Sequence, residues 1–438
     1  MRLRLVAPAQ QMHGGKRGLF PPLSLAMVAA LTPDDWEIEV IDENVQHHDI
    51  DGSVDLVGMT AITAVAPRAY EIARQYREQG VRVVMGGMHA SALPEEALQH
   101  VDAVVVGEAE SVWDSLLEDA RKGKLRGIYQ SEERPCLKGL PSPRIDLFDP
   151  KRYMTVNLAQ TSRGCPNNCS FCSVTQFFGK TYRTRPIDDV LQEVSQMKRR
   201  KTVLFVDDNI VGHTRHAKTL FRELASMKIK WFGQSSLQIA QDDDLLDLAA
   251  DSGCIGLFIG FESLVAKNLR RVGKGVVNRV EGFLDSINRI HDRGIGIEGA
   301  FIFGMDDDDP SVFERTVRFA EKSKLALAQF GILTPFPGTP LYDRMQSEDR
   351  IIVNDWSKYT ISNVVSAPAN LSKAALEEGF NWAYKEFYSY RSMLRRLTPS
   401  FGKKFWIFLG LNMVFRRITD RMIEARESII EQTVAGES

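Results

Sequence analysis

No apolar run in this sequence is long enough to cross a bilayer, which takes about 20 residues in a helix. The longest, from Phe405 to Phe415, is broken by Gly410 and Asn412. Nor does charge of one sign prevail: 55 Lys and Arg stand against 57 Asp and Glu, a formal net charge of −2. General nucleic-acid binders carry a basic excess, so that class is excluded. Cysteine is scarce, five in 438 residues, and three of the five are crowded together. Such usage is no disulfide framework and suits a reducing, cytoplasmic setting. The stretch from Met1 to Val6 is already strand-like, so no signal peptide is expected. What is there is ordinary for a globular chain, 44% hydrophobic and 26% charged, and the length predicts two or three domains.

The crowded cysteines are the strongest signal. Cys165, Cys169 and Cys172 follow one another at C-x3-C-x2-C spacing, around a turn through Gly164 and Pro166. Iron–sulfur clusters are held by thiolates, and a four-iron cube has room for four of them. Three thiolates leave one iron open, and an open position is what separates catalytic metal sites from closed structural ones. The competing reading is zinc held by the three cysteines and His213, His216 or Cys254. Zinc spacings normally pair one C-x2-C with a second, and no second pair follows here.

The stretch from Thr161 to Cys172 resembles the cluster loop of the radical S-adenosylmethionine (SAM) enzymes. The resemblance implies a 4Fe–4S cluster on Cys165, Cys169 and Cys172 whose open iron takes the amino and carboxylate groups of SAM. It places Phe171 near the adenine. It also implies an electron donor such as flavodoxin or ferredoxin, reductive cleavage of SAM to methionine and a 5′-deoxyadenosyl radical, and hydrogen abstraction from unactivated carbon.

Residues 1–130 alternate short apolar runs (3–7, 37–41, 55–59, 82–85 and 102–106) with helical patterns. In one of these, over 67–79, Ala69, Ile72, Ala73 and Tyr76 recur at helical spacing. The alternation predicts an α/β, doubly wound parallel, Rossmann-like sheet with ligands at its carboxyl strand ends. Thr60, the pair Gly86-Gly87, and Gly107-Glu108 fall at those ends. Glycines there let a flat ligand or a phosphate approach the backbone, or else simply make tight turns. His89, taken alone, reads as a loop histidine. The runs from Gly86 to Glu96 and from Val106 to Glu110 resemble the cobalamin-binding domain of one large radical SAM class. That resemblance implies cobalamin contacts from Thr60, Gly86, Gly87, His89, Gly107 and Glu108. None of the eight histidines lies in the Asp-x-His-x-x-Gly motif that binds cobalt from below. Cobalt therefore has no lower histidine, or the domain has lost cobalamin. The loop from Gly14 to Pro22 reads as a flexible wall over the ligand, or as an ordinary exposed loop.

Proline-rich residues 131–150 read as a linker in which Cys136 is a solitary thiol. Over 151–345 six strand-like runs (155–160, 203–206, 231–235, 256–261, 296–303 and 328–333) alternate with helices. They match the partial (β/α)6 barrel of radical SAM enzymes, whose chemistry lies at the carboxyl ends of the strands. Asp207, Asp208 and Glu262 there complement the ammonium or ribose of SAM, and Gln234 and Ser236 its carboxylate or ribose. Helix capping is the alternative for the two aspartates. Asp309-Pro310 reads as a helix N-cap with proline first in the helix, so the run from Asp306 to Asp309 is no metal site. Cys254 reads as core. Phe177 and Phe178 shield the cluster, and the basic residues up to Arg185 meet an anionic substrate or balance the cluster. The segment from Thr334 to Leu341 also matches the cobalamin class.

Residues 346–438 read as helical, with a long helix between Ser372 and Pro399 whose Phe380, Tyr384 and Phe387 share a face. Lys403-Lys404 and Arg416-Arg417 flank an aromatic, amphipathic segment that docks on the protein's own core or lies on an anionic membrane. The reading as a whole is a cytoplasmic enzyme that moves a methyl group from methylcobalamin to an unactivated carbon. The alternatives are a radical cyclisation, rearrangement or oxidation, with or without cobalamin, and, in another class, a non-enzymatic metal or iron–sulfur protein. The substrate is a small or lipid-like molecule: a membrane lipid, a tetrapyrrole or a natural-product intermediate. Anaerobically reconstituted protein is expected to be brown, redder with cobalamin bound, and to release 5′-deoxyadenosine from SAM under reductant. Zinc in place of iron, or intact SAM at the end of the assay, would refute the cluster assignment.

Overall fold

A computed structural model of the chain describes residues 1–9, 18–197, 202–397 and 404–436. Residues 14–17 of the first loop, Pro399 and Lys403 lie outside the described residues. The chain forms two compact units, Met1–Asp208 with Pro335–Thr360 and Asn209–Thr334 with Ile361–Ser438.

The first unit is built on a six-stranded sheet. Its strands are β1 (Arg2–Ala7), β2 (Glu37–Asp42), β3 (Leu56–Thr60), β4 (Arg82–Gly86), β5 (Ala103–Val106) and β6 (Ile128–Gln130). They are parallel throughout, in the order β2-β1-β3-β4-β5-β6. The central strands are apolar on both faces because helices cover both. Helix Ala66–Glu78 buries Ala69, Ile72, Ala73 and Tyr76 on one side, while Leu25, Trp113 and Leu116 pack on the other. β6 is not legible in the sequence, since three residues with only Tyr129 buried make no periodic pattern.

The same unit holds four short strands around the cysteines. β7 (Leu158–Ala159) pairs in parallel with β10 (Val203–Phe205), and β8 (Ser162–Arg163) pairs antiparallel with β9 (Arg183–Thr184). Six residues were expected at the first of these positions and two form, because the Thr155 hydroxyl takes the Asn157 amide (3.1 Å) and bends the chain just before the ladder.

The second unit contains β11 (Trp231–Ser235), β12 (Cys254–Glu262), β13 (Gly296–Phe303) and β14 (Leu327–Ile332), parallel and in that order. On the helix-covered face the rings of Phe261, Phe301 and Phe330 stack in sequence. Cys254 is buried at the start of β12, as expected of a core residue. The helix after β13 begins at Val312, two residues later than the Asp309-Pro310 reading placed it. Asp309 instead makes an Asx turn to the Ser311 amide (2.8 Å), and Asp308 takes the amides of Gly304 (2.9 Å) and Met305 (3.0 Å).

An open parallel sheet leaves edge peptides without partners, and the C-terminal helices supply them. The Tyr388 hydroxyl accepts from the Ala328 amide (3.2 Å) and donates to the Ala328 carbonyl (2.8 Å). Tyr384 does the same for Phe330 (3.1 and 2.9 Å). Both tyrosines project from the end of helix Lys373–Phe387, which Ser372 caps through the Ala375 amide as its sequence predicts. Buried Arg396 and Asn412 bind the carbonyls of Leu325 and Ala326 just before β14. The segment from Phe405 docks through Phe408, 2% exposed, with Trp406, 73% exposed, on its outer side. Among the described residues no helix is long and apolar enough to cross a membrane.

The double substitution Tyr384→Phe with Tyr388→Phe removes the partners of four edge groups, each worth about 1–3 kcal/mol if left buried and unpaired. A loss of roughly 3 kcal/mol or more is expected, read as a lower urea midpoint for the second unit.

Candidate active site

The cysteine loop leaves from β8 and returns through β9, so the antiparallel pair fixes its two ends. Gly164 starts it at φ +88°, where a Cβ would lie 2.3 Å from the Thr181 carbonyl oxygen. Only glycine fits there. Below the loop sits Asp207, at the exit of β10 and without solvent exposure. Both its oxygens accept from the Thr161 amide (3.1 Å each), and one also takes the hydroxyls of Thr161 (2.7 Å) and Ser162. Burial pushes the carboxyl up, and these bonds oppose that shift. Asp207 is therefore spent on the root of the loop rather than on a cofactor. Capping fails as an alternative, since the following helix starts at Thr214 with His213 as its cap.

Asp208 differs from its neighbour. It has one buried oxygen with no partner, and burial together with the charge of Asp207 pushes its pKa up to about 6. It lies near enough to the cysteines to act on the Cys172 thiol. That thiol is pushed up to about 12 by burial, with Cys169, Cys165 and Asp208 all raising it further. Three sulfurs close enough for two of them to raise the third call for a cation to hold them as thiolates. Among the described residues no three His, Cys, Asp or Glu side chains meet at a single-ion site. Of the zinc candidates, His213 Nδ1 accepts from the His216 amide (3.2 Å) and the Cys254 thiol donates to the Gly256 carbonyl (3.6 Å), while the buried His216 Nε2 has no partner among the described residues. Phe171 is half-buried beside Cys172, and the preceding Ser170 carbonyl takes the Leu341 amide (2.9 Å), which ties the loop to the segment from Thr334 to Leu341.

At the carboxyl ends of β3, β4 and β5 the first unit encloses a cavity of about 250 Å³. Thr60, Gly86, Gly87, Gly107 and Glu108 all line it. Gly87 adopts φ +96°, and a Cβ there would come within 2.8 Å of the Ala61 carbonyl and the Thr60 hydroxyl. Leu5, Gly58, Val84 and Trp113 line the cavity as well. A side chain at Gly58 would meet Leu5 at 2.9 Å. The cysteine-loop arm also lines the cavity, with Arg163, Phe177 and Phe178. His89 is neither in a loop nor on this wall. It is fully buried in helix Met88–Ala92, where Nε2 meets the Tyr70 hydroxyl (3.0 Å) and Glu96 (3.2 Å).

Glu108 is an ion-pair hub. Arg163 (2.7 Å) and Arg183 (2.5 Å) donate to its two oxygens, and Arg163 also reaches Glu110 (2.6 Å). Arg183, read from sequence as a match for a substrate anion or the cluster, thus neutralises a strand-end acid. No sequence signal links these residues, which are 55 and 75 positions apart.

Polar groups also gather at the strand ends of the second unit. Gln234 is exposed and its carbonyl accepts from the Ile210 amide (2.9 Å), while buried Ser236 pairs its amide with the Asn209 side chain (3.2 Å). Glu262 follows a register shift in β12 and sits in the left-handed region at φ 66°. Such a conformation costs a non-glycine residue about 1–3 kcal/mol and is typical of functional sites. It is held there by an ion pair to Lys274 and by Asn278, whose amide donates to the carbonyls of Gly260 (2.9 Å) and Phe261 (3.0 Å). Lys274 and Asn278 were missed from sequence, where they are two polar residues in a loop.

Comparison with known proteins agrees with this geometry. Residues 160–320 match the family model of the radical SAM superfamily and residues 17–117 that of the B12 binding domain. The bacteriochlorophyllide d C-12(1)-methyltransferase of Chlorobaculum tepidum is 32% identical over 92% of this chain and 89% of its own. The chain belongs to the radical SAM superfamily. The bacteriochlorophyllide d C-8(2)-methyltransferase of the same organism is 30% identical over 85% of this radical SAM chain and 87% of its own. In fold the chain is similar to the radical SAM methyltransferase TsrM of Kitasatospora setae, with TM-score 0.70 and 17% identity over 98% of this chain and 99% of that one. Radical SAM enzymes with a B12 domain work with a 4Fe–4S cluster, SAM and cobalamin, and the residues here fit all three. The thiols suit the cluster, the unpaired Asp208 oxygen suits a donor on SAM, and the glycine-lined slot suits a flat ligand. Among the described lining residues no histidine is placed to bind cobalt.

Asp207→Ala is expected to lose iron during reconstitution, because the root of the loop loses its anchor. Asp208→Asn should keep its iron and weaken SAM binding roughly tenfold, the worth of one charge-assisted hydrogen bond. Iron analysis and SAM titration check the pair.

Proposed function

We propose that this enzyme is a cobalamin-dependent radical SAM methyltransferase that methylates an unactivated carbon of a chlorophyll-type tetrapyrrole. The observation that carries the reading is the shared wall in the first unit. Arg163, two residues before the first cysteine, and Phe177 and Phe178, just after the last, border the cavity at the strand ends of the B12-type sheet. Two bacteriochlorophyllide methyltransferases at 30% identity or above, matched over most of both chains, support the substrate class.

When bound, the cofactors supply an electron, a 5′-deoxyadenosyl radical and a methyl group. The protein's own tasks are then few. Cys165, Cys169 and Cys172 hold the cluster, Asp207 holds their loop, and Asp208 accepts a hydrogen bond from SAM. Phe177 and Phe178 keep water from the cavity. A flavodoxin or ferredoxin in the cytoplasm serves as electron donor.

Anaerobic holoenzyme given SAM, reductant, cobalamin and bacteriochlorophyllide d should yield 5′-deoxyadenosine and a product heavier by one methylene unit, detected by mass spectrometry. Formation of 5′-deoxyadenosine with no methylated chlorin would reject the substrate class while leaving the radical chemistry in place.

A further inference from the structure

The cavity of the first unit has charged residues on its wall, and Glu108, Glu110 and Arg163 are spent on one another. Arg185 and Glu193 line the same cavity and pair differently. Arg185 follows β9, and its amide donates to the Thr161 carbonyl (2.8 Å) at the root of the cysteine loop. Glu193 shares the buried face of helix Ile187–Ser195 with Val190 and Val194. The two side chains are 5% and 6% exposed. Arg185 Nη1 donates to one Glu193 oxygen (2.8 Å) and to the Gln160 carbonyl (3.0 Å).

A guanidinium and a carboxylate can make two parallel bonds, and this pair makes one. A single nitrogen serves two acceptors, while Arg185 Nε has no acceptor and Glu193 Oε1 has no donor. Both atoms are buried, and a buried polar atom left unpaired lowers stability. Burial also raises the Glu193 carboxyl, and Arg185 opposes that shift. Among the described charged residues on the cavity wall, these two are the ones with buried atoms unmatched. One atom wants an acceptor and the other a donor. A primary carboxamide offers both, an oxygen and an N–H on the same carbon.

We propose that Arg185 and Glu193 bind one of the peripheral carboxamides of cobalamin, its oxygen on Arg185 Nε and its N–H on Glu193 Oε1. The inference rests on the cobalamin-dependent reading above. The corrin ring is rimmed with primary carboxamides, and the pair stands on the wall of the cavity at the strand ends of the B12-type sheet. Through the Arg185 amide the contact joins that rim to Thr161, and so to the root of the loop that bears the cysteines. Arg185 and Glu193 are thus positioning residues for the ring.

The test uses the full-length, cluster-loaded protein in mildly alkaline buffer. The probes are hydroxocobalamin and its b-, d- and e-monocarboxylic acids, titrated by absorbance. In each acid a carboxylate replaces one carboxamide, so it cannot donate to Glu193 and repels it. Wild type should bind one of the acids about tenfold more weakly than hydroxocobalamin, the worth of one charge-assisted hydrogen bond. Glu193→Gln, whose amide donates where Oε1 accepts, should abolish that rejection. Arg185→Lys drops the Nε donor and keeps the charge. It should bind hydroxocobalamin about fivefold more weakly and still reject the acid, and it decides the matter if Glu193→Gln does not fold. Wild type that binds every acid as tightly as hydroxocobalamin overturns the proposal, since water alone then meets the unmatched atoms. A rejection that survives Glu193→Gln, or undiminished binding by Arg185→Lys, overturns it too and leaves the cobalamin reading standing. Wild type that binds none of these probes overturns both.

Discussion

Asp207 sits where no water reaches it, and the cysteine loop begins on the groups that surround it. The amide of Thr161 and the hydroxyls of Thr161 and Ser162 satisfy its oxygens. An unsatisfied carboxylate at that depth would be untenable, and a loop without it would have no fixed root. From this anchor β8 runs to Gly164, and the chain turns where no side chain would fit. The thiols are then presented in an order that the short strands alone could not hold.

The same logic governs the charges around the cavity. Glu108 and Arg163 are both buried, which is tolerable only because each meets an opposite charge at hydrogen-bond distance. The pairing fixes the arm that carries the cysteines against the strand ends of the sheet. One element therefore carries the three cysteines and lines the cavity. In the second unit the equivalent problem is an open sheet edge, and its solution is local as well. Two tyrosine hydroxyls substitute for the missing strand, and a phenylalanine fills the space over Gly296. The C-terminal segment, ambiguous in sequence between membrane and core, is drawn to the core by that edge.

Patterns of short range were legible in advance. The alternation of apolar runs and helical periods located nearly every strand, since each signal is contained within a dozen residues. The cysteine spacing and the strand-end glycines were legible for the same reason. β6, β8 and β9 escaped because strands of two or three residues have no period. The helix start at Val312 escaped because Asp309 serves equally well as a cap and as an Asx turn.

By itself the sequence determined the two sheets, the three-thiol site and the glycine-lined strand ends, all properties of spacing along the chain. Only the tertiary structure decided which acids are spent and which are available. Asp207 and Asp208 are neighbours of identical chemistry, yet one is saturated by donors 45 and 46 residues away and the other keeps a bare oxygen. Likewise His89 turns to Tyr70, Glu108 to Arg163, and Glu262 to Lys274, while Glu298 meets no donor among the described residues. The physical reason is that a buried charge is defined by its partners, and those partners are brought to it by folding.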